Sequence, residues 1–335
     1  MNSGPTSAEG DSHPGLQMEF RRQMQAWRKI LAHCSRKPGR KCVHSLRVAT
    51  LRLQAAAEYW LDQREPDAIA SRAVQRWRRQ GRKLRRALGP VRQADVSLAK
   101  LKRVLGWADS SAVGQPVLPK DTLSAIAEIE RKVKREREAA ARELAVEIDQ
   151  RRKRLNRSSK KLELVLEDFA LTWQSGNAEK VLAQLASVAA DFPELDSTNL
   201  HDFRKRIKKI RYLAEIFSPV DASAARLAAS LKRMIGAVGE WHDWQVLTEE
   251  ASHFHGEDTA MAAAAEFLHA QAGRSLNRAL KLCRNSMTRL LNASANKKLQ
   301  LAEHPLEVAL PPRKPVARAS NGLSRLQADR SARAS

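Results

Sequence analysis

Residues 201–211 read His-Asp-Phe-Arg-Lys-Arg-Ile-Lys-Lys-Ile-Arg. On a helix, His201, Arg204, Lys208 and Arg211 fall on one face, and Lys205 lies beside that stripe. Guanidinium forks and ammonium groups in such a row hold oxyanions through charge-assisted hydrogen bonds, so the chemistry on offer is anion recognition. A second concentration lies earlier. Arg72, Arg76, Arg79, Lys83 and Arg86 are spaced alternately four and three apart, and Arg78, Arg82 and Arg85 widen the line. Between Arg72 and Arg103 twelve basic residues meet one acid, Asp95. Like charges on adjacent turns destabilise a free helix, which points to a ligand that offsets the cost.

The whole chain carries the same bias. Its 335 residues hold 60 Lys and Arg against 37 Asp and Glu, a formal charge of +23 that favours a polyanionic partner. Charge alone does not choose among nucleic acid, an anionic surface and a phosphate polymer. One stripe supplies about one cation per helical turn, whereas a linear polyphosphate presents roughly two charges over that length. Several stripes must therefore face one another across a groove.

An apolar content of 43% is enough to bury real cores. Apolar residues recur at three- and four-residue spacing almost throughout, and alternating strand-like runs are absent, so the expected fold is all-α. Breaks are expected at 37–40, 106–121, 173–177, 191–199 and 217–221, where Gly, Pro, Asn and Ser cluster, giving about ten helices. Helix starts are expected after Asp121, after Asn177 and around Thr198–Asn199, whose short polar side chains suit caps. The mixed-sign stretch 128–155 reads as a long exposed helix with a solvated face. Residues 1–15 and 305–335, rich in Gly, Pro, Ser, Ala and Arg, read as disordered ends.

Three cysteines, Cys34, Cys42 and Cys283, form an odd set without a C-x-x-C pair, which argues against a disulfide framework and a zinc site. The N-terminal stretch lacks the basic-then-apolar order of a signal peptide, and no run of about 18 apolar residues offers a membrane span. The expectation is a soluble, cytoplasmic protein without cofactor or metal.

The chain also repeats itself. Cys42-Val43-His44-Ser45-Leu46-Arg47 sets over Asn199-Leu200-His201-Asp202-Phe203-Arg204, and at the same offset Arg52 meets Lys209. After a small shift Arg82-Lys83 overlies Lys232-Arg233 and Gly89 overlies Gly239. The first-half counterpart of the cationic stripe is His44, Arg47, Leu51 and Gln54, so only its first two positions stay polar and basic. Two related helical bundles, first half about 16–155 and second half about 156–293, would let equivalent faces converge on one central groove.

These residues resemble the CHAD family, the conserved histidine α-helical domains. Val43 to Thr50 resembles the family's first histidine helix, and Leu200 to Arg206 with Lys208 to Tyr212 its second. Leu88-Gly89, Arg92 and Asp95-Val96, with Val238-Gly239 and His242-Asp243, resemble the turns that follow. The resemblance implies two pseudo-symmetric four-helix bundles around a basic central groove that binds inorganic polyphosphate and brings the protein to polyphosphate granules. It carries over to His44, Arg47, Arg52, Arg82, Lys83, Arg86 and Arg92 in the first half. In the second it carries over to His201, Arg204, Lys208, Lys209, Arg211, Lys232 and Arg233. The stripes themselves add Arg76, Arg79 and Lys205. Leu51 and Gln54 stand where the family usually has bases, Gln93 stands for an Asp and Ile235-Gly236 for a polar pair, so the first histidine helix is expected to bind more weakly.

No catalytic constellation is expected. Glu128-Ile129-Glu130-Arg131-Lys132 matches the Glu-x-Glu-x-Lys strand of a triphosphate-cleaving barrel fused to some relatives, but it sits in a helix-periodic stretch and reads as coincidence. Asp95 and Asp243 are expected to cap N–H groups or to orient an arginine. The seven tryptophans read as core rather than as base-stacking platforms. Competing readings are a helical nucleic-acid binder, with nucleic acid otherwise a non-specific competitor, and a scaffold that docks on storage granules of carbon polymer or phosphate with polyanion binding secondary; granule-surface proteins are a further candidate partner.

Overall fold

The computed structural model describes residues 14–63, 68–108, 118–171, 177–219, 221–252 and 259–303. These form eight helices and no strand among the described residues: α1 Pro14–Cys34, α2 Arg40–Gln63, α3 Ala68–Ala108, α4 Lys120–Leu171, α5 Asn177–Asp191, α6 Leu200–Phe217, α7 Ala222–Ser252 and α8 Thr259–Glu303. The chain divides into two compact units, residues 1–294 and 295–335. In the second the described residues, 295–303, are helical, and the packing below concerns the first. The basic tail and the first thirteen residues lie outside the described residues, as does Trp173.

Within the first unit α1 packs on α2 and α4, α2 on α3, and α3 on α4, a closed round of four. Helix α6 packs on α5 and α7 and also reaches α2, while α7 touches α3. The main apolar cluster runs through all of these and takes Ala279, Cys283 and Met287 from α8. A second cluster joins Leu101 and Val104 of α3, Ile126 and Ile129 of α4, Trp244 and Leu247 of α7, and Ala264 and Leu268 of α8.

The described residues form eight helices rather than about ten, and at Leu88-Gly89, where the resemblance implied a turn, α3 continues with Pro90 inside it. Proline removes one backbone donor there, yet Leu88 and Val91 on either side are fully buried, and their packing keeps the helix going. For the same reason Asp95 and Asp243 sit inside helices and cap nothing. Asp95, 5% exposed, accepts from Arg137 Nε at 3.0 Å, while Arg137 Nη2 donates to Pro38 O at 2.9 Å. Asn199 stands at the N-cap of α6 but makes no side-chain cap hydrogen bond. Its Oδ1 accepts from the Asp196 N–H and its Nδ2 donates to Glu194 O, which folds the preceding turn instead. Asp221, by contrast, accepts from the N–H groups of Ser223 and Ala224 and caps α7.

The mixed-sign stretch is not a free helix. It belongs to α4, 52 residues or about 78 Å long, whose Ile126, Ile129, Val133, Leu144, Ile148 and Leu155 are buried. The Glu-x-Glu-x-Lys string lies within α4, so it forms no strand. The expectation about cysteines also needs correcting: Cys34 and Cys42 are disulfide-bonded across the α1–α2 turn with Cα atoms 5.8 Å apart, and Cys283 is free and buried. An odd count excludes one full pairing, but it does not prevent a single local bond. Trp27, Trp60, Trp77, Trp241 and Trp244 are core residues as the periodicity predicts.

Three helices are pinned at one point. Trp27 Nε1 donates to Thr50 Oγ1 at 2.9 Å, Thr50 donates on to Leu46 O, and Trp27 meets Trp77 edge to face with centroids 5.0 Å apart. At Gly81 a Cβ would come within 3.1 Å of Thr50 Cγ2, so a side chain there would have to displace Thr50 by a few tenths of an ångström and glycine lets α3 lie against α2 without that. Arg47 and Arg85, one turn from Thr50 and Gly81 respectively, are thereby set against each other. Removing the partner of the buried Asp95 tests the other anchor. Arg137→Ala is expected to lower unfolding free energy by roughly 3 kcal/mol in chemical denaturation; a loss below about 0.5 kcal/mol, the usual range for surface substitutions, would show that this pair does not hold α4 to α3.

Candidate anion-binding site

Helix α6 buries Leu200, Phe203, Ile207, Ile210 and Leu213, which turns His201, Arg204 and Lys208 toward α2 and α3. There they line a cavity of about 320 Å³ with Arg47, Leu51, Gln54 and Ala55 of α2, Arg85 of α3 and Tyr212. Arg47 Nη1 donates to Arg85 O at 3.1 Å, and Arg85 Nη1 donates to Gln54 Oε1 at 2.6 Å. Gln54 in turn donates to Glu58 Oε1 at 2.7 Å. The wall cations are thus oriented by neutral groups.

Carboxylates engage the rim and leave the centre open. Glu215 accepts from Arg52 at 2.6 Å on one oxygen and from Arg211 at 2.8 Å on the other. Lys209 lies 3.8 Å from Glu58 and 3.9 Å from Asp62, and Lys205 pairs with Asp202 at 2.8 Å. Arg47, Arg204 and Lys208 have no carboxylate within ion-pair distance among the described residues, and Arg204 Nε is buried without a hydrogen-bond partner. Gly239 of α7 makes room for that guanidinium: a Cβ there would lie 3.2 Å from Arg204 Nη2.

The electrostatic result is strong. Burial first, then Arg204, Arg47, Arg211 and Arg85, push the Lys208 ammonium down to about 7. Burial and neighbouring cations also lower Arg47, Arg85, Arg92 and Arg204. Desolvation followed by Arg92, Lys208, Arg211 and Arg40 lowers His44, which stands at the exposed rim. His201 and His242 lie with ring centroids 4.8 Å apart, and His201 Nδ1 is buried without a partner. Burial first holds both below the ordinary imidazole value, aided at His201 by His242, Lys205 and Arg204 and at His242 by Arg204 and Lys205. Two acids come close: Glu58 lines the cavity beside Gln54, and Asp243 is half-buried near Arg204, where burial raises its pKa against the opposing pull of Lys100, Arg92 and Arg204.

Not every residue expected at one groove meets there. Arg76, Arg79, Arg82, Lys83 and Arg86 line a separate cleft with Arg154 and Arg157 of α4, because α3 packs along α4 and turns that face away from α6. His44 and Arg52 line a third hollow beside α1 with Glu19 and Arg22. Lys232 and Arg233 are exposed on α7, outside these three cavities. Conversely, Arg85, Tyr212, His242 and Asp243 belong to the central cluster although they were not singled out as ligands. Arg85 was visible only as the broad edge of a stripe. Arg154 and Arg157 were hidden in a segment of balanced charge. Among the described residues no group of three or more His, Cys, Asp or Glu could hold a metal ion, and no helix is long and apolar enough to cross a membrane.

Helices alone among the described residues, with basic side chains of α2, α3 and α6 meeting at one cavity, define an all-α domain with a polar, positively charged centre. The model of the CHAD domain matches residues 19–252, and the chain belongs to the CHAD family. Among solved structures it is similar to the crystal structure of the CHAD domain from the plant Ricinus communis, at 16% identity over 86% of this chain and 95% of that one, with a TM-score of 0.56. That likeness establishes the fold. No curated protein matches the chain.

Lys208 gives a direct check on the cluster. Its pKa is depressed on folding, so its destabilising charge is fully present below about pH 7 and fades as pH rises toward the ordinary lysine value. Lys208→Met is therefore expected to be more stable than the parent at pH 6 to 7, with the difference shrinking steadily up to about pH 10.5. A gap independent of pH in denaturation curves would mean that Lys208 stands outside the field of the arginines.

Proposed function

We propose that this chain binds inorganic polyphosphate in the central cavity without cleaving it, and that this binding draws the protein to polyphosphate granules in the cytoplasm. The observation that carries the reading is the set of half-buried cations, Arg47, Arg204 and Lys208, that face one another with no carboxylate partner among the described residues. Such a cluster costs free energy in the empty protein and is offset by an anion that supplies many oxygens at once. A linear phosphate polymer does so, and it lacks the bulky sugars and bases that a cavity of about 320 Å³ would have to admit. Membership of the CHAD family supports the same ligand class.

The roles follow from position. Arg204, Arg47 and Arg85 present guanidinium forks to phosphate oxygens, and Lys208 takes up a proton as the anion enters. His201 and His242 do likewise at lower pH, so affinity weakens as pH rises through neutrality. Arg52, Arg211 and Lys209, already engaged by Glu215, Glu58 and Asp62, contribute field more than direct contact.

Calorimetric titration of the full chain with long-chain polyphosphate, in the presence of duplex DNA or RNA at physiological salt, tests this. The His201→Ala/Arg204→Ala/Lys208→Ala variant is expected to bind on the order of 100-fold more weakly. Competition by DNA at equal affinity, or indifference to the triple change, would point to a diffuse basic surface and to the nucleic-acid reading.

Gly239→Ala separates site geometry from fold. Alanine favours the helix by roughly 0.5–1 kcal/mol, so thermal stability should hold or rise. The new methyl displaces the Arg204 guanidinium and should weaken polyphosphate binding about five-fold, one oriented hydrogen bond's worth. Unchanged affinity would remove Arg204 from the contact set.

A further inference from the structure

Lys208 is unlike its neighbours on α6. Lys205 pairs with Asp202 at 2.8 Å, and Lys209 lies 3.8 Å from Glu58 and 3.9 Å from Asp62. Lys208 lines the central cavity of about 320 Å³ with no carboxylate within ion-pair distance among the described residues. Glu58, the one acid in that lining, accepts from the Gln54 amide at 2.7 Å. Arg47 of α2, Arg85 of α3 and Arg204 of α6 line the same space. Burial, then Arg204, Arg47, Arg211 and Arg85, bring the lysine to a pKa of about 7, so a large share of molecules carry a neutral amine near physiological pH.

For holding an anion, a neutral amine is a weak donor beside guanidinium forks. What it offers instead is a lone pair, and a lysine desolvated next to other cations is an activated nucleophile. The same guanidiniums select its electrophile. Arg204 Nε is buried without a hydrogen-bond partner, and Arg47 engages Arg85 O through Nη1 alone. Both forks have donors left for phosphate oxygens. An electrophile that carries its own phosphate is therefore held beside the amine, and a small acyl phosphate meets that description.

We propose that Lys208 is an acylation site, at which a small acyl phosphate docks by its phosphate on Arg47 and Arg204 and hands its acyl group to the lysine nitrogen. The proposal rests on the reading of this cavity as a site for phosphate groups. The nitrogen lone pair attacks the acyl carbon, a C–N bond forms, and the bond from that carbon to the bridging oxygen breaks. Its electron pair leaves with the phosphate, which takes the proton lost by nitrogen and departs as hydrogen phosphate. The guanidiniums stabilise the charge that gathers on this leaving group. The product is a neutral amide, so the cavity loses one cation. Polyphosphate opposes the step twice, because it covers the amine and its many charges draw a proton back onto it, whereas one small phosphate shared by two guanidiniums does so less. Acylation thus falls on molecules whose cavity is vacant.

The experiment incubates the full chain with acetyl phosphate and follows each lysine by peptide mass spectrometry, with and without saturating tripolyphosphate. A phosphate-free acetylating ester is the second reagent, and Lys205 and Lys209 are references on the same helix. Lys208 is expected to react about ten-fold faster than either reference with the ester, through its neutral amine, and about 100-fold faster with acetyl phosphate, through docking as well. Its rate should level off above about pH 7, while that of an ordinary lysine rises up to about pH 10.4. Tripolyphosphate should protect Lys208 and spare the references. Lys208→Gln, neutral like the amide, should bind tripolyphosphate about ten-fold more weakly in calorimetry. The same preference for Lys208 with both reagents, or none with either, would overturn the proposal, as would full reaction at Lys208 under tripolyphosphate that calorimetry shows to be bound. If tripolyphosphate does not bind, yet acetyl phosphate still singles out Lys208, the polyphosphate reading fails instead, a result distinct from the others.

Discussion

Repulsion among the cations at the α2–α3–α6 junction is the constraint around which this molecule is organised. Lys208 loses most of its affinity for a proton because burial and Arg204, Arg47, Arg211 and Arg85 press on it together. A cluster of this kind pushes its own supports apart, so each helix that bears a cation must be held from behind. Helix α6 is held by a buried face from Leu200 to Phe217, α2 by the Trp27–Thr50 hydrogen bond, and α3 by the close approach at Gly81 and by α4 along its length. The extended apolar cluster through both halves of the chain supplies the stability that the centre removes.

Counter-charges are placed with the same logic. Glu215 ties Arg52 to Arg211 across α2 and α6, and Glu240 takes Lys100, which also lies over Trp244 at 4.6 Å. Asp95 is spent on Arg137 and the α1–α2 turn. Most of these acids fix helices to one another at the edge of the cationic region, while Glu58 lines the cavity and Asp243 is drawn toward its arginines. Had acids been placed against Arg204 and Lys208, the cavity would be internally neutralised and an entering anion would have to displace them. Holding the neutralising groups at the periphery keeps the centre stable enough to fold and positive enough to attract.

Much of this was legible in the sequence, and for identifiable reasons. The face of α6 follows from 3.6-residue periodicity over a short helix that packs on one side, so His201, Arg204 and Lys208 were placed together correctly. Local turn chemistry located the helix breaks near 37–40, 191–199 and 217–221. What failed depends on tertiary context. Helix α3 is wide in charge, and nothing in its own spacing says that Arg85 looks toward α6 while Arg79 and Lys83 look toward α4; that is decided by which neighbour lies on which side. The turn that the resemblance implied at Leu88-Gly89 is overridden by the burial of Leu88 and Val91, which no local signal discloses. Arg154 and Arg157 are concealed by the balance of their segment, since net charge averages over faces that packing separates. The parity of the cysteines carried too much weight against a bond that joins residues only eight apart.

Helix α2 does not carry the cationic stripe of α6, and the difference has a physical reading of its own. If α2 repeated the stripe of α6 in full, cations would stand at positions 51 and 54 opposite Lys208 and Arg204, and the repulsion already sufficient to depress Lys208 would grow. Instead Leu51 and Ala55 present apolar wall, and Gln54 accepts from Arg85 while donating to Glu58. An amide is the suitable group here: it has a donor and an acceptor, so it can orient a guanidinium without neutralising it and remain satisfied itself. Helix α2 thus bears few cations toward the cavity, and α3 carries many outward, where the row from Arg76 to Arg86 sits on the surface and is less costly to hold. Positive charge thus stands mainly on the open surface, where it is less costly to hold, and is limited in the cavity, and the division of the basic residues between a buried cavity and an open cleft follows from that.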